Sequence, residues 1–349
     1  AAISQVMFNH RLFQLHGDAR YMDVAERTLY NGFLAGVGLS GEKFFYVNPL
    51  ESDGRWKFNG GLNERFRWTG CACCPVNVVR YLPIIPGLTY ATSDDQIYVN
   101  LFIAGTVKVD LKGTTVQLRQ QTRYPWDGQV KIAVDPEKPS TFALKVRIPG
   151  WARNQPVPSD LYRYEDDEKP AVKLAINGKT TAIELDKGYA VVRRQWSKGD
   201  VVTLDMDMPV RRVVSHSKVK DNVGRFAVER GPIVYCAEGA DNDGKVLRKV
   251  PGPDVSFQLI PQPDLLGGIT QIEMTPKEEG DPLTLIPYYA WCHRGANEMA
   301  VWLPEDSKLV PQPTIASEAR ASASFCFPPD STLAINDQIE PPNSADLAL

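Results

Sequence analysis

The sequence lacks two features that would each point to a class of partner. Lys and Arg number 39 against 42 Asp and Glu, for a formal charge of −3, so there is no basic excess to bind a nucleic acid. No apolar run approaches the roughly 18 residues that a membrane-spanning helix needs. We therefore expect neither a nucleic-acid partner nor a membrane span.

The six cysteines also lack the spacing of a disulfide framework. Cys71, Cys73 and Cys74 lie within four residues, and the other three are scattered at positions 236, 292 and 326. A framework spreads its cysteines to join distant loops, and adjacent cysteines bridge each other only with strain. The cluster is typical of metal or thiolate chemistry, whereas the scattered three are typical of small buried hydrophobic residues.

The N-terminal quarter of the chain carries helical patterns. Apolar residues recur every three or four positions over 3–13 and again over 22–33, with Gly and Asp at 17–18. This spacing predicts two amphipathic helices, the second of them capped at its start by the Asp. Pro75 is favoured in a first helical turn, so a third helix is predicted with Cys74 as its N-cap.

Residues 39–70 form an irregular segment rich in glycine and aromatic residues. A loop of about thirty residues is long for a compact domain and is usually functional. Its aromatic side chains, between positions 44 and 68, either pack into a local core beneath the loop or stack on sugar rings. Composition alone leaves both interpretations open.

From residue 92 onward the pattern changes to that of strands. Apolar and basic residues alternate over 144–148, which is the period of two of a half-buried strand. Similar short segments follow at regular spacing, separated by Gly, Pro and Asp, with no helical pattern of twelve residues between them. This order predicts an antiparallel β-sandwich region over 92–305, made of two sandwiches with a boundary near 200.

Three polar segments interrupt or follow this region. Residues 154–170 contain the acidic run 165–168 and are predicted to be a solvated surface loop. Residues 239–268, rich in Gly, Pro and Asp, are predicted to be a second long loop. Residues 306–349 are predicted to hold a linker and the start of a truncated β module.

The strongest chemical signal is the run Cys71-Ala72-Cys73-Cys74-Pro75. Two adjacent thiolates cannot complete a tetrahedral zinc site, and no second pair of Cys or His residues lies nearby in the sequence. A helix N-terminus favours the thiolate form of a cysteine, and zinc deprotonates it outright, so a metal-held nucleophile is one interpretation. A buried cluster of reduced cysteines and a redox pair are the alternatives.

The other titratable candidates fit structural roles better than chemical ones. Glu229, Glu238 and Asp241 could supply the paired carboxylates of glycosidic chemistry, but they fall on or beside predicted strands, where a solvated sheet edge is expected. His10 lies on the apolar face of the first helix and is predicted to pack in the core. His293 is predicted to be structural or exposed.

The cysteine cluster resembles a known motif. Cys73-Cys74-Pro75-Val76-Asn77 is similar to the Cys-Cys-Pro-Pro-Asn motif of glycoside hydrolase family 127, the β-L-arabinofuranosidases, with Val76 in place of the usual second Pro. Further stretches that resemble this family follow in order along the chain, at 45–51, 98–101, 124–128, 147–152, 229–235 and 286–291.

The resemblance implies a mixed fold, an (α/α)6-barrel catalytic domain followed by antiparallel β-sandwich domains. Residues 1–91 are then the C-terminal part of the barrel. In the family, a Glu-x-Cys lies upstream of the position that matches Ala1, and its Glu and Cys are the other two zinc ligands. A carboxylic general acid/base lies further upstream. The chain is therefore expected to be an internal piece of the catalytic unit.

The resemblance also implies roles for three residues. Cys73 matches the family's nucleophile and a zinc ligand, Cys74 matches a second ligand, and Tyr46 matches a tyrosine that contacts the substrate. Cys71 has no counterpart role. The implied reaction is the retaining, exo-acting hydrolysis of β-L-arabinofuranosides, with Zn²⁺ as cofactor and a plant-type glycan or oligosaccharide as substrate.

Two alternatives to this function are kept. The same scaffold could act on another pectin-derived sugar, or the protein could be a non-catalytic carbohydrate-binding protein with a structural zinc. The sequence does not decide whether the protein lies in a bacterial periplasm or in the cytoplasm. It does not determine the oligomeric state either. The isolated 349-residue chain is expected to be inactive.

Overall fold

The computed structural model describes residues 1–67, 73–310, 319–326 and 332. Its helices are α1 (Ala2–His16), α2 (Ala19–Arg27), which continues through a π-helical turn (Thr28–Phe33) into α3 (Leu34–Gly36), and α4 (Cys73–Tyr81), which continues as a 3₁₀ helix (Leu82–Leu88). Within the described ranges, no helix is both long and apolar enough to cross a membrane.

The first two helices form where the periodicity predicts them. Gly17 ends α1 with a φ of 61°, a left-handed conformation that costs glycine no Cβ clash. The Asp18 side chain accepts the backbone N–H of Arg20 and so caps α2, as predicted. The apolar faces of the helices meet in one cluster, formed by Val6, Phe13, Ala19, Met22, Ala25, Leu29, Phe33, Tyr81, Leu88, Leu101 and Tyr189.

Strands build most of the rest of the described chain. They are β1 (Glu51–Asp53), β2 (Tyr90–Ser93), β3 (Gln96–Val99), β4 (Gly105–Leu111), β5 (Thr114–Thr122), β6 (Gln129–Pro136), β7 (Ser140–Arg147), β8 (Tyr162–Tyr164), β9 (Val172–Ile176), β10 (Lys179–Thr181) and β11 (Leu185–Asp186). The later strands are β12 (Tyr189–Trp196), β13 (Asp200–Met206), β14 (Val210–Ser215), β15 (Arg225–Arg230), β16 (Ile233–Glu238), β17 (Val255–Gln262), β18 (Ile269–Pro276), β19 (Leu283–Pro287), β20 (Glu298–Ala300) and β21 (Leu303–Pro304).

The first two sheets share one core. A six-stranded sheet has the order β10-β9-β13-β6-β5-β4, and a five-stranded sheet has the order β11-β12-β7-β3-β2. Their pairs are antiparallel except β3 with β7, which is parallel. Both sheets contribute apolar side chains to the core, among them Val116, Leu118, Ile132, Val134 and Leu204 from one and Ile97, Val99, Leu144, Val146 and Trp196 from the other.

The third sheet holds the later strands. Its main path is β17-β18-β19-β16-β15-β14-β8, to which β20, β21 and β1 are joined at the side. Strand β1 comes from the aromatic segment 39–67 and pairs with β20, Glu51 opposite Ala300. This segment is therefore tied to a sheet almost 250 positions away along the chain.

The prediction of a loop over 239–268 was wrong, because β17 lies within it. Strand β17 pairs with β18 along its whole length, from Val255 opposite Pro276 to Gln262 opposite Ile269. It is the edge strand of the sheet, and its side chains are exposed or half-buried. Val255, Phe257 and Leu259 alternate with polar residues as in a strand, but the Gly, Pro and Asp residues on both sides of them favoured a loop. An edge position also tolerates Pro261.

The segment 154–170 is not simply a solvated loop either. It contains β8, and its acidic run is held by two arginines of β14. Arg212 Nε lies 3.0 Å from Glu165 Oε2, and Arg211 Nη2 lies 2.5 Å from Asp166 Oδ1. Both arginines are buried, so the acidic side chains supply counter-charge to the sheet.

A buried cluster of charges joins the helices to the first sandwich. Arg147 on β7 is fully buried, with Nη1 2.7 Å from Asp23 Oδ1 and Nη2 2.5 Å from Glu26 Oε1 on α2. Its Nε donates to the carbonyl of Asn100, and the hydroxyl of Tyr124 donates to Glu26 at 3.0 Å. Because every charge in the cluster has a partner, its burial is tolerated.

We expect Arg147→Met to lower the free energy of unfolding by about 3–5 kcal/mol, because Glu26 would then be buried without a counter-charge and Asp23 would keep only Arg153. Urea denaturation measures the loss. The matched control is Arg193→Met on the adjacent strand, whose pair with Asp95 is half exposed and should cost no more than about 1 kcal/mol. Equal midpoints for the two variants would contradict this account.

Candidate functional site

The two cysteines of the motif lie in the first turn of α4. The helix begins at Cys73, so Cys74 is its second residue and the prediction of Cys74 as N-cap was wrong. Pro75 does not displace the start of the helix, because the first backbone N–H groups of a helix have no intrahelical acceptor in any case. Cys71 lies outside the described residues.

The two thiols lie in the first turn of α4, and the C-terminal end of this helix is packed against other residues of the protein. Cys73 is exposed and Cys74 half-buried, and their Sγ atoms are 3.7 Å apart. The side-chain amide of Asn77 donates to the Cys73 carbonyl at 2.8 Å. At the far end, Tyr81 is buried and meets Phe33 edge-to-face at 5.2 Å. The packed end holds the helix while the thiols face outward.

The scattered cysteines differ from one another. Cys236 and Cys292 are buried, as predicted, but Cys326 is exposed, so the prediction was wrong for that residue. Burial raises the pKa of the Cys236 thiol well above its usual value and that of Cys292 to about 12. Neither buried thiol supplies a thiolate at neutral pH, so neither competes with Cys73 as a nucleophile.

The aromatic segment divides into a packed set and an exposed pair. Phe45 stacks on Trp291 with ring centroids 5.1 Å apart, and Phe44 meets Phe66 edge-to-face. Tyr46, by contrast, is 57% exposed and Trp56 is 52% exposed. Trp68, another aromatic residue of this segment, lies outside the described residues. The packed set forms the local core of one interpretation, and sugar stacking by the exposed pair stays a prediction.

A buried asparagine fixes the backbone of Tyr46. Asn59 is fully buried; its Oδ1 accepts the N–H of Tyr46 at 2.7 Å and its Nδ2 donates to the carbonyl of Glu64 at 2.9 Å. Sequence reasoning missed Asn59. The available signal was its place before Gly60 and Gly61, a pattern typical of a turn.

Glu229 does not lie at a solvated edge, and that prediction was wrong. It is buried on β15, with Oε2 2.7 Å from Arg27 Nη1 on α2, and its Oε1 accepts the hydroxyl of Tyr164. The partner arginine lies about 200 positions earlier in the chain, so no local pattern indicated it.

Glu238 is also buried rather than solvated. One oxygen accepts the backbone N–H of Cys292 at 2.6 Å and the side-chain amide of Asn297 at 3.1 Å, and the other pairs with Arg294. Arg294 also binds both oxygens of Asp241. Glu238 and Asp241 both neutralise Arg294 and hold a turn, so neither is placed as a general acid.

The described residues contain no group of three or more His, Cys, Asp or Glu side chains placed to hold a metal ion. The adjacent thiols of Cys73 and Cys74 are a pair of soft ligands of the kind that zinc binds. Two sulfurs on one helical turn can act as a nucleophile, as half of a metal site, or as both.

Comparisons with known proteins place these features in context. Family models for the β-L-arabinofuranosidase GH127 catalytic, middle and C-terminal domains match residues 1–87, 96–208 and 210–304. A non-reducing end β-L-arabinofuranosidase from Bifidobacterium longum subsp. longum is 32% identical, and the match covers 86% of this chain and 48% of that protein.

Two solved structures are similar over most of the chain. One, described as a GH127 β-arabinofuranosidase, is 44% identical with a TM-score of 0.83, covering 88% of this chain and 49% of that one. The other, a GH127 β-L-arabinofuranosidase from Geobacillus stearothermophilus T6, is 36% identical with a TM-score of 0.78, covering 87% and 49%.

Fold and sequence together class the chain with the glycoside hydrolases. The three domain models follow one another in order and account for nearly all of residues 1–304. The chain belongs to glycoside hydrolase family 127. It spans about half the length of the relatives that it matches.

The exposure of the cysteines predicts their order of reactivity. In the native protein, iodoacetamide should modify Cys326, Cys73 and Cys74 readily and Cys236 and Cys292 roughly 100-fold more slowly, because burial keeps the last two as protonated thiols. Mass spectrometry of the labelled peptides measures each rate. Urea-unfolded protein is the control and should label at every cysteine. Native labelling of Cys292 as fast as Cys326 would contradict the prediction.

Proposed function

We propose that this chain is part of a retaining, exo-acting glycosidase that hydrolyses β-L-arabinofuranosides with the Cys73 thiolate as nucleophile. The observation that carries the proposal is the position of Cys73, an exposed sulfur in the first turn of α4 beside a second thiol. Membership of family 127 and the named activity of the relatives support the substrate class. The substrate would be the non-reducing end of a plant-type glycan.

The donor pair fits a zinc ion. With Zn–S bonds of about 2.3 Å, two thiolates on one tetrahedral ion stand about 3.8 Å apart, close to the 3.7 Å between the sulfurs of Cys73 and Cys74. We propose these two residues as ligands, with the remaining ligands outside the described residues. Bound zinc would keep Cys73 as a thiolate at neutral pH.

In the proposed mechanism, the Cys73 sulfur attacks the anomeric carbon of the arabinofuranoside as the bond to the leaving oxygen breaks. A carboxylic acid outside these residues protonates that oxygen, and the sugar is left bonded to sulfur. The same carboxylate then removes a proton from water, which attacks the anomeric carbon and restores the thiolate. Two inversions at one carbon give net retention.

Exposed apolar side chains support the proposal that the helices belong to a larger (α/α)6 barrel. Phe8 and Leu15 on α1 are 62% and 77% exposed, and Val79 on α4 is 70% exposed. Helices of one protein seldom leave such faces in water, and the relatives are about twice as long as this chain. We propose 1–91 as barrel, 92–305 as β-sandwich region divided near 200, and 306–349 as linker and a further module.

In a longer protein that carries the rest of the barrel, Cys73→Ala should lower kcat/KM for p-nitrophenyl β-L-arabinofuranoside by at least about 1,000-fold, because the nucleophile is removed. Cys326→Ala removes an exposed thiol elsewhere and should leave the rate unchanged. Equal rates for the wild type and Cys73→Ala would exclude Cys73 as the nucleophile.

Measurement of zinc in the same proteins tests the ligand assignment. Cys74→Ser should lose bound zinc as Cys73→Ala does, whereas Cys326→Ala should retain it. The isolated 349-residue chain, with two of the four ligands, should be inactive and bind zinc more weakly than about 1 μM. Zinc retained without any hydrolysis of arabinofuranosides would favour a carbohydrate-binding protein with a structural metal. Hydrolysis of a different sugar would replace the proposed substrate and leave the proposed enzyme class unchanged.

Tyr46 is proposed to contact the sugar through its exposed hydroxyl. Tyr46→Phe should raise KM about 5- to 20-fold with a smaller effect on kcat, because one hydrogen bond to the substrate is lost. Tyr162→Phe, on β8, is the control and should leave both constants unchanged. An unchanged KM in Tyr46→Phe would show that the hydroxyl does not touch the substrate.

A further inference from the structure

The turn at 290–293 attaches a short hairpin, residues 37–45, to the third sheet. The Nε2 atom of His293 accepts the backbone N–H of Leu39, at the tip of the hairpin, at 3.0 Å. Because Nε2 accepts, the ring proton lies on Nδ1, which is 2.8 Å from the carbonyl of Ala290 and donates to it. The contact therefore requires the neutral ring.

The tip of the 37–45 hairpin has few bonds, whereas at its base Phe44 pairs with Phe66 and the Phe45 N–H donates to the Gly36 carbonyl at 2.8 Å. The strands of the hairpin meet in a single β-bridge between Val37 and Phe44, and the N–H of Gly38 donates to the carbonyl of Lys43 at 2.7 Å. Tyr46 follows the hairpin directly. The buried side chains of Phe44 and Phe45 and the Tyr46 backbone, which Asn59 holds, stay in place when the tip of the hairpin moves.

A buried cation lies beside the same histidine. Arg65 is 3% exposed; its Nη1 donates to the carbonyl of Trp291 at 2.6 Å and its Nη2 to the carbonyl of Ala35 at 2.8 Å. Its guanidinium lies 4.1 Å from the centroid of the Phe45 ring. Nη1 is also 3.3 Å from Nδ1 of His293. These partners are neutral, so the charge of Arg65 acts on the ring.

The charged groups around His293 disfavour a second positive charge. Burial, with the nearby cations Arg65 and Arg294, lowers the pKa of His293 to about 4. The carboxylates of Glu238 and Asp241 are both engaged by Arg294. Further titratable groups near the turn are Lys43, Glu64, the Cys292 thiol and the hydroxyls of Tyr288 and Tyr289.

We propose that His293 is a pH-sensitive positioning residue, whose neutral ring holds the tip of the 37–45 hairpin at Leu39 and whose protonation releases that tip. A protonated ring carries N–H on both nitrogens, so Nε2 would face the N–H of Leu39 donor to donor. The new charge would also lie beside Arg65. The release of the tip does not depend on the proposed function.

The sign of the effect follows from the two states of the hairpin. In the released hairpin His293 has an ordinary pKa of about 6.5, and in the closed hairpin its pKa is about 4. The released form therefore binds more protons throughout this window, and its population rises as the pH falls from about 6.5 to 4. Between pH 7.5 and pH 5 we expect an increase of roughly 10- to 30-fold.

Hydrogen exchange of the 349-residue chain tests the proposal without any substrate or metal. The protection factor of the Leu39 amide, corrected for intrinsic rates, should fall roughly 10- to 30-fold from pH 7.5 to pH 5. His293→Gln cannot gain a charge, so its protection should change less than about threefold, whatever its value at pH 7.5. The result is independent of the proposed enzyme activity.

A second histidine supplies the matched control. His10 on α1 is also half-buried with a pKa lowered by burial, but it packs against Phe13 in the helical core, away from the hairpin. His10→Gln should keep the wild-type pH dependence at Leu39. Constant protection in the wild type, or an equal fall in His293→Gln, would overturn the proposal.

Discussion

The pairing of buried Arg147 with Asp23 and Glu26 is the interaction on which the arrangement of helices and sheets depends. The next residue of α2, Arg27, reaches Glu229 on the third sheet. Helix α2 thus supplies charged partners both to the first sandwich and to the third sheet. Since a buried charge without its partner costs several kcal/mol, α2 has a single favourable position against the sheets, and the helices that pack on it are placed with it.

The candidate chemical groups are exposed, while their backbones are fixed from behind. Cys73 and Cys74 stand on α4, whose other end is packed through Tyr81. Tyr46 is fixed by the buried amide of Asn59. A reactive side chain must reach its substrate, yet it acts only if its backbone keeps a defined position, and buried neighbours meet both needs.

The elements that sequence reasoning found are those with strong local patterns. Helical periodicity predicted α1 and α2, and Asp18 predicted the start of the second. Strand β17 was missed although Val255, Phe257 and Leu259 alternate with polar residues, because the Gly, Pro and Asp residues on both sides are typical of a loop. The burial of Glu229 and Glu238 was missed because their partners, Arg27 and Arg294, are remote in the chain. The residues next to each glutamate in the sequence therefore do not reveal that an arginine neutralises its charge.

The sequence by itself determined the adjacency of the two thiols, the helix that follows them and the family to which the chain belongs, because these depend on covalent neighbours and local periodicity. The tertiary structure alone decided that Phe45 packs inward on Trp291 while the next residue faces outward. It also decided that Leu39 meets His293, 254 positions away. Such partners come together only when the chain has closed, and their free energy depends on the burial that closure creates.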